Sequence, residues 1–142
     1  MKTCAFCQIV SREVPAAIVF EDDETLTFLD HRPVFPGHCL LIPKQHLDSL
    51  VDVEPPLLSK IFANARLLAL AVEEAFGAEG AFVAINNRVS QSVPHVHVHV
   101  VPRTKGDGLK GFFWPRHKYR DPEHVEEVRR SLSETMAKLR AR

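Results

Sequence analysis

Surplus charge is the first thing this sequence lacks: 18 lysines and arginines balance 18 aspartates and glutamates across 142 residues. A bulk electrostatic binder of nucleic acid draws its affinity from an excess of positive charge, so that class is disfavoured. No uncharged apolar run approaches the roughly 20 residues of a membrane-spanning helix, and no membrane partner is expected. The first residues, Met1-Lys2-Thr3-Cys4, lack the long apolar stretch of a secretory signal, which points to the cytoplasm. There is no Gly-x-x-x-x-Gly-Lys loop to cradle phosphates. Cysteines number three, an odd count that argues against a disulfide framework.

What is present fits one soluble globular domain, with 45% hydrophobic and 25% charged residues. Residues 4–12 read as a short helix with Phe6, Ile9 and Val10 on one apolar face. Strands are expected at 17–21 and 25–30, joined by an acidic turn, then at 38–43, 81–86 and 95–101. Leu57, Leu58, Ile61, Phe62, Ala65, Leu68, Ala69, Val72 and Phe76 recur at helical spacing. Pro55 and Pro56 suit that helix's first turn and Gly77 its exit. A last amphipathic helix starts near 121–123 and is expected to bury Val125, Val128, Leu132, Met136 and Leu139. Helices do not alternate regularly with strands, and several strands are joined by short connections. An α+β fold on a mainly antiparallel sheet follows, as one domain with its motifs in residues 4–103 and an extension over 104–142.

The eight histidines are unevenly placed. His95, His97 and His99 alternate with Val96, Val98 and Val100, so a strand puts the imidazoles on one face about 6.6 Å apart. The valines anchor the core, and the histidines are expected to face a cleft or the solvent. Threonine, lysine or glutamate would serve an outer face equally well, so the pattern points to a site. Two chemistries fit. Alternating histidines can bind a catalytic metal, or a neutral imidazole can attack phosphorus while its neighbours fix its tautomer and protonate the leaving group. Cys39, in an apolar run, reads as a buried small hydrophobe. Cys4-x-x-Cys7 reads as a metal clasp, a redox pair or two buried thiols.

His95-Val-His97-Val-His99-Val-Val resembles the motif of the histidine-triad (HIT) family. The flanks agree: Asn86-Asn87, Gln91-Ser92-Val93-Pro94, Pro102-Arg103, Cys4-Ala-Phe-Cys7, Phe28-Leu-Asp30 and the run from Pro36 to His46. The resemblance covers roughly residues 4–103. It implies a five-stranded HIT-like sheet with helices packed on it, and a homodimer. It also implies hydrolysis of nucleoside phosphate derivatives, either dinucleoside polyphosphates or phosphoramidates and adenylates, with purines favoured. His97 would be the nucleophile that carries the nucleotide, with His95, His99 and His38 beside it. Asp30, Asn86, Gln91, Ser92 and His99 would contact the nucleotide. Relatives with the cysteine pair imply a structural zinc on Cys4, Cys7, His46 and His95, and no organic cofactor is expected. The rival readings are a metal-dependent hydrolase and a nucleotide-binding adaptor without relevant turnover. The loop from Arg103 to Gly111 reads either as a reach toward polyphosphate or as a plain loop. The aromatics Phe112, Phe113 and Trp114 read as core or as a cover for a neighbouring site.

Overall fold

The computed structural model of the chain describes residues 4–110 and 115–142, so the expectation for Phe112, Phe113 and Trp114 lies outside the described residues. The chain falls into two compact units, Met1–Asp107 and Gly108–Arg142. The first holds helix α1 (Ala5–Val10), strands β1 (Ile18–Glu21), β2 (Thr25–Leu29) and β3 (Cys39–Pro43), helix α2 (Pro55–Phe76), and strands β4 (Gly80–Ala84) and β5 (Val98–Arg103). The strands form one sheet in the order β1-β2-β3-β5-β4, with every neighbouring pair antiparallel. The α+β class and the five-stranded sheet agree with the sequence reading.

Alternation along the strands sorts side chains onto two faces, and each face has its own core. Cys39, Leu41, Val98 and Val100 pack with Leu57, Ile61, Ala65, Leu68 and Val72 of α2. Leu26, Phe28, Leu40 and Ile42 point the other way and pack with Phe6 of α1. The register pairs Leu40 with His99 across β3 and β5, so His99 lies on the α1 face. α2 keeps two prolines in its first turn, and Gly77 ends it at φ 64°, a left-handed exit that glycine adopts freely.

Two expectations need correction. The histidine strand begins only at Val98; His95 and His97 precede it and are 0% and 4% exposed. A second covering layer, α1, lies over the histidine face; of the triad, His97 and His99 line a cavity there, as expected, whereas His95 is buried toward α1. The second unit contains helix α3 (Pro122–Arg140), and its apolar face is not buried. Val125, Val128, Leu132, Met136 and Leu139 are all exposed, Leu132 at 64%. One helix offers no second layer to cover its own stripe. Gly106, Gly108 and Gly111 have Gly-x-Gly-x-x-Gly spacing, but no helix among the described residues opens from them as a dinucleotide turn requires.

Candidate active site and metal centre

Sequence neighbours within the triad are sent to different places. His95 leaves toward the N-terminal helix, whereas His97 and His99 line a cavity of about 700 Å³ on the α1 face of the sheet. That cavity also takes Ala5, Phe6 and Ile9 from α1, Val14 and Ala16 from the following segment, Phe28 and Asp30 from the end of β2, and Ser92. Its walls are mainly apolar with a few polar groups at one side, the arrangement of a small-molecule site.

Hydrogen bonds fix the tautomers. The Nδ1 of His97 lies 2.7 Å from the carbonyl oxygen of His95. A carbonyl only accepts, so Nδ1 carries the proton and Nε2 keeps its lone pair. The backbone N–H of Val34 donates to Nδ1 of His38 at 3.1 Å, so neutral His38 carries its proton on Nε2. That proton is donated to Nδ1 of His99, 2.9 Å away. His99 then bears its own proton on Nε2, an atom buried without a protein partner. The site therefore pairs a free imidazole lone pair on His97 with a fixed imidazole donor on His99, their ring centres 5.0 Å apart. Burial and the neighbouring imidazoles of His97 and His38 lower His99 to about 4 despite the Asp30 carboxylate. Burial also lowers His38, against the same carboxylate. Both rings are neutral at pH 7.

Asp30 stands at the cavity rim with Oδ2 3.7 Å from His38 Nε2, and its Oδ1 accepts from the N–H of Arg32. His31, also at the rim, is 90% exposed. Ser92 lines the same cavity. Gln91 does not line it: its amide donates to the Asp48 carbonyl at 2.5 Å and accepts from the N–H of Arg88 at 2.8 Å. These bonds brace a loop in which Arg88 and Ser90 hold positive φ. Asn86 is exposed and is not among the cavity residues. In the Arg103 loop, the guanidinium is paired with Asp107 at 2.6 and 3.0 Å.

Cys4, Cys7, His46 and His95 bring their four donor atoms within 4.8 Å of one another. His95 Nδ1 lies 3.4 Å from Cys4 Sγ and 3.6 Å from Cys7 Sγ, and His46 Nδ1 lies 3.3 Å from Cys7 Sγ. Around a tetrahedral zinc, sulfur and nitrogen ligands stand about 3.6 Å apart, so the set fits that ion. Each histidine also presents the correct tautomer. His95 donates from Nε2 to the Pro43 carbonyl at 2.8 Å, and His46 faces the Asp48 carboxylate through Nε2 at 2.8 Å. Both Nδ1 lone pairs are thereby turned toward the sulfurs, the outer-shell support usual for metal-bound histidine. Four protein donors close the coordination, which suits a structural ion. Cys39 stands apart, buried, its thiol raised to about 11 by burial.

Sequence reasoning missed several supports: the Val34 N–H behind His38, the Pro43 carbonyl behind His95, Asp48 behind His46, and Phe6 as part of the cavity. Only Phe6 carried a visible signal, as the aromatic inside the Cys4-Cys7 spacing.

Known proteins resemble this chain in sequence and fold. The HIT domain model matches residues 11–106. The adenylylsulfatase HINT3 of Arabidopsis thaliana is 33% identical over 108 residues, covering 75% of this chain and 55% of that protein. A zinc-bound histidine triad family protein of Mycobacterium smegmatis is 36% identical, with a TM-score of 0.73 over 95% of this chain and 96% of its own. A histidine triad nucleotide-binding protein of Candida albicans is 30% identical, with a TM-score of 0.82 over 96% and 99%. On domain match, sequence and fold alike, the chain belongs to the HIT family.

Proposed function

We propose that this protein hydrolyses nucleoside phosphate derivatives through a nucleotidyl-histidine intermediate on His97. One observation carries the reading: the Nε2 lone pair of His97, freed by the bond from Nδ1–H to the His95 carbonyl, belongs to a ring that lines a nucleotide-sized cavity. The apolar walls at Ile9, Val14, Ala16 and Phe28 suit a base, and a purine has the larger ring area to bury there. Asp30 accepts the ribose hydroxyls, and Ser92 with the His99 N–H holds the phosphoryl oxygens.

In the first step Nε2 attacks the α-phosphorus, a P–N bond forms, and the bond from phosphorus to the leaving group breaks. In the second step water attacks the same phosphorus, the P–N bond breaks, and the nucleoside monophosphate leaves with His97 regenerated. Dinucleoside polyphosphates, phosphoramidates and adenylates all offer the required phosphorus; the hydrolase HINT3 and the nucleotide-binding relative support this substrate class. The Cys4, Cys7, His46 and His95 set holds a zinc that secures α1 and takes no part in the reaction. A catalytic metal would need an open coordination position; the tetrad offers none, and at the three-donor group of Asp30, His38 and His99 the Val34 N–H holds His38 in the tautomer whose Nε2 carries a proton. That weighs against the metal-dependent alternative.

The active form is a homodimer. α2 also carries apolar side chains on its outer side: Phe62, Leu67 and Leu70 are exposed away from its buried stripe, among Arg66 and Glu74. Exposed apolar side chains grouped in this way mark an interaction surface. β4, an edge strand on which α2 packs, adds exposed Val83.

The test is turnover of adenosine phosphoramidate, a dinucleoside polyphosphate and an adenylyl sulfate by the purified chain. His97→Ala is expected to lower turnover by at least about 10³-fold while AMP still binds. An alkaline denaturing quench, which preserves the acid-labile P–N bond, with label on the α-phosphate is expected to leave label on His97 of the parent protein. Full turnover in the variant would sink the assignment.

A further inference from the structure

Six residues are too few to hold a helix by backbone hydrogen bonds alone, because below roughly 12 residues the cost of nucleation is not recovered in water. α1 has six, so its side chains keep it in place. Two sets of anchors do this. Cys4 and Cys7, at and inside its first turn, reach the imidazoles of His46 and His95. Phe6, between them in sequence and 7% exposed, inserts into the core with Leu26, Phe28 and Leu40.

The Phe6 ring meets three others edge-on. Its centre lies 5.4 Å from Phe28, 5.8 Å from His95 and 5.1 Å from His97, the last at an interplanar angle of 89°. One phenyl ring thus touches a member of the donor tetrad on one side and the imidazole at the cavity on the other. Ile9, one turn further along the helix, lines the same cavity.

We infer that Phe6 is a positioning residue that couples the Cys4, Cys7, His46 and His95 tetrad to the nucleotide cavity, so that filling either site tightens the other. The inference rests on the nucleotide and zinc readings above. A cation held by the tetrad fixes Cys4 and Cys7, and with them the helix that aims Phe6 and Ile9. A base in the cavity presses on those two side chains from the opposite side. In the metal-free protein, nucleotide binding must bear the cost of ordering α1; in the loaded protein that ordering is already complete. Coupling of this kind is reciprocal by thermodynamic necessity. A tetrad that only stapled the N-terminus would leave nucleotide affinity unchanged.

The experiment uses the full chain, metal-free and zinc-loaded. Calorimetry measures AMP affinity in each form, and competition with a chromogenic chelator measures zinc affinity with and without saturating AMP. AMP is expected to bind roughly fivefold or more tightly to the loaded form, and to tighten zinc by the same factor. Phe6→Ala, which keeps all four ligands, is expected to bring that factor close to one. Phe6→Leu, which keeps apolar bulk without a ring edge, is expected to fall between. Should Phe6→Ala misfold, Phe6→Leu carries the test of Phe6, and the zinc dependence of AMP affinity in the parent protein carries the test of the coupling. Equal AMP affinity in the two forms overturns the coupling and leaves the nucleotide reading standing. Failure of AMP to bind either form removes the nucleotide reading and the coupling with it. Undiminished coupling in Phe6→Ala overturns the role of Phe6.

Discussion

At the scale of single residues, one backbone N–H decides which protons face the cavity. Val34 donates to His38, His38 donates to His99, and His99 is left with an N–H and no protein partner. Asp30, His38 and His99 also hold three donor atoms close together, but a cation on His38 Nε2 would move that ring's proton to Nδ1, against the Val34 N–H. His38→Leu strands both neighbours and is expected to lower turnover roughly 10- to 100-fold, in line with about 1–3 kcal/mol for an unpaired buried group. His38→Gln, whose amide can still donate to His99, is expected to retain most of the activity. Nitrogen NMR of the imidazoles checks the premise, since a resting His99 protonated on Nδ1 would contradict it. The lowered values of His99, His38 and His95, each caused first by burial, also carry a sign. In the unfolded chain these rings take up protons near 6.5, whereas folded His99 resists until about 4. Between those values the unfolded state binds more protons, so stability falls as pH falls through the window. The Tm of metal-free protein is expected to drop from pH 6.5 to 4, and His99→Asn to flatten the slope. The triad was legible from its spacing, and His38 and Asp30 only through the resemblance to the family. Their backbone partners were not, because a carbonyl or N–H carries no residue signature.

At the scale of elements, alternation along β3 and β5 and the helical spacing of α2 follow directly from sequence; of the apolar set read on α2, Leu57, Ile61, Ala65, Leu68 and Val72 are buried, whereas Phe62 and Phe76 are exposed. The limits of β5 did not follow. Val96, Val98 and Val100 alternate without a break, yet the strand starts at Val98 because only from there does β3 pair with it. The turn before β3 shows a tighter constraint. Gly37 sits at φ +100°, and a Cβ there would overlap the ring of Phe76 at the end of α2. Phe76 is exposed and can swing aside, so most of the cost of Gly37→Ala lies in the backbone. A loss of about 1–2 kcal/mol is expected in denaturant unfolding. A variant as stable as the parent would show that the turn relaxes.

At the scale of the molecule, exposed apolar surface is the feature that most needs an explanation. α2 buries Leu57, Ile61, Ala65, Leu68 and Val72 on one side and exposes Phe62, Leu67 and Leu70 on the other. If a second copy covers that face, a charge placed there must be desolvated or the dimer must part. Leu67→Glu together with Leu70→Glu is expected to halve the mass measured by light scattering without unfolding the chain. A parent protein that is already monomeric at working concentration would remove the reason for the experiment and the dimer with it. α3 also presents an uncovered stripe, and here the sequence expectation of burial failed. Amphipathic spacing specifies a face, but it does not supply the surface that covers it.

The sequence alone determined the sheet, the long core helix, the family and the identity of the chemical groups, because period-two and helical spacing and a dense histidine motif are local signals. Tertiary structure decided where each imidazole points, which protons they carry and which groups meet across distance. Cys4 and His95 are 91 residues apart, and Phe6 lies against both His95 and His97. Contacts of that kind arise from the closing of the sheet and the docking of α1 upon it, and no local pattern encodes them.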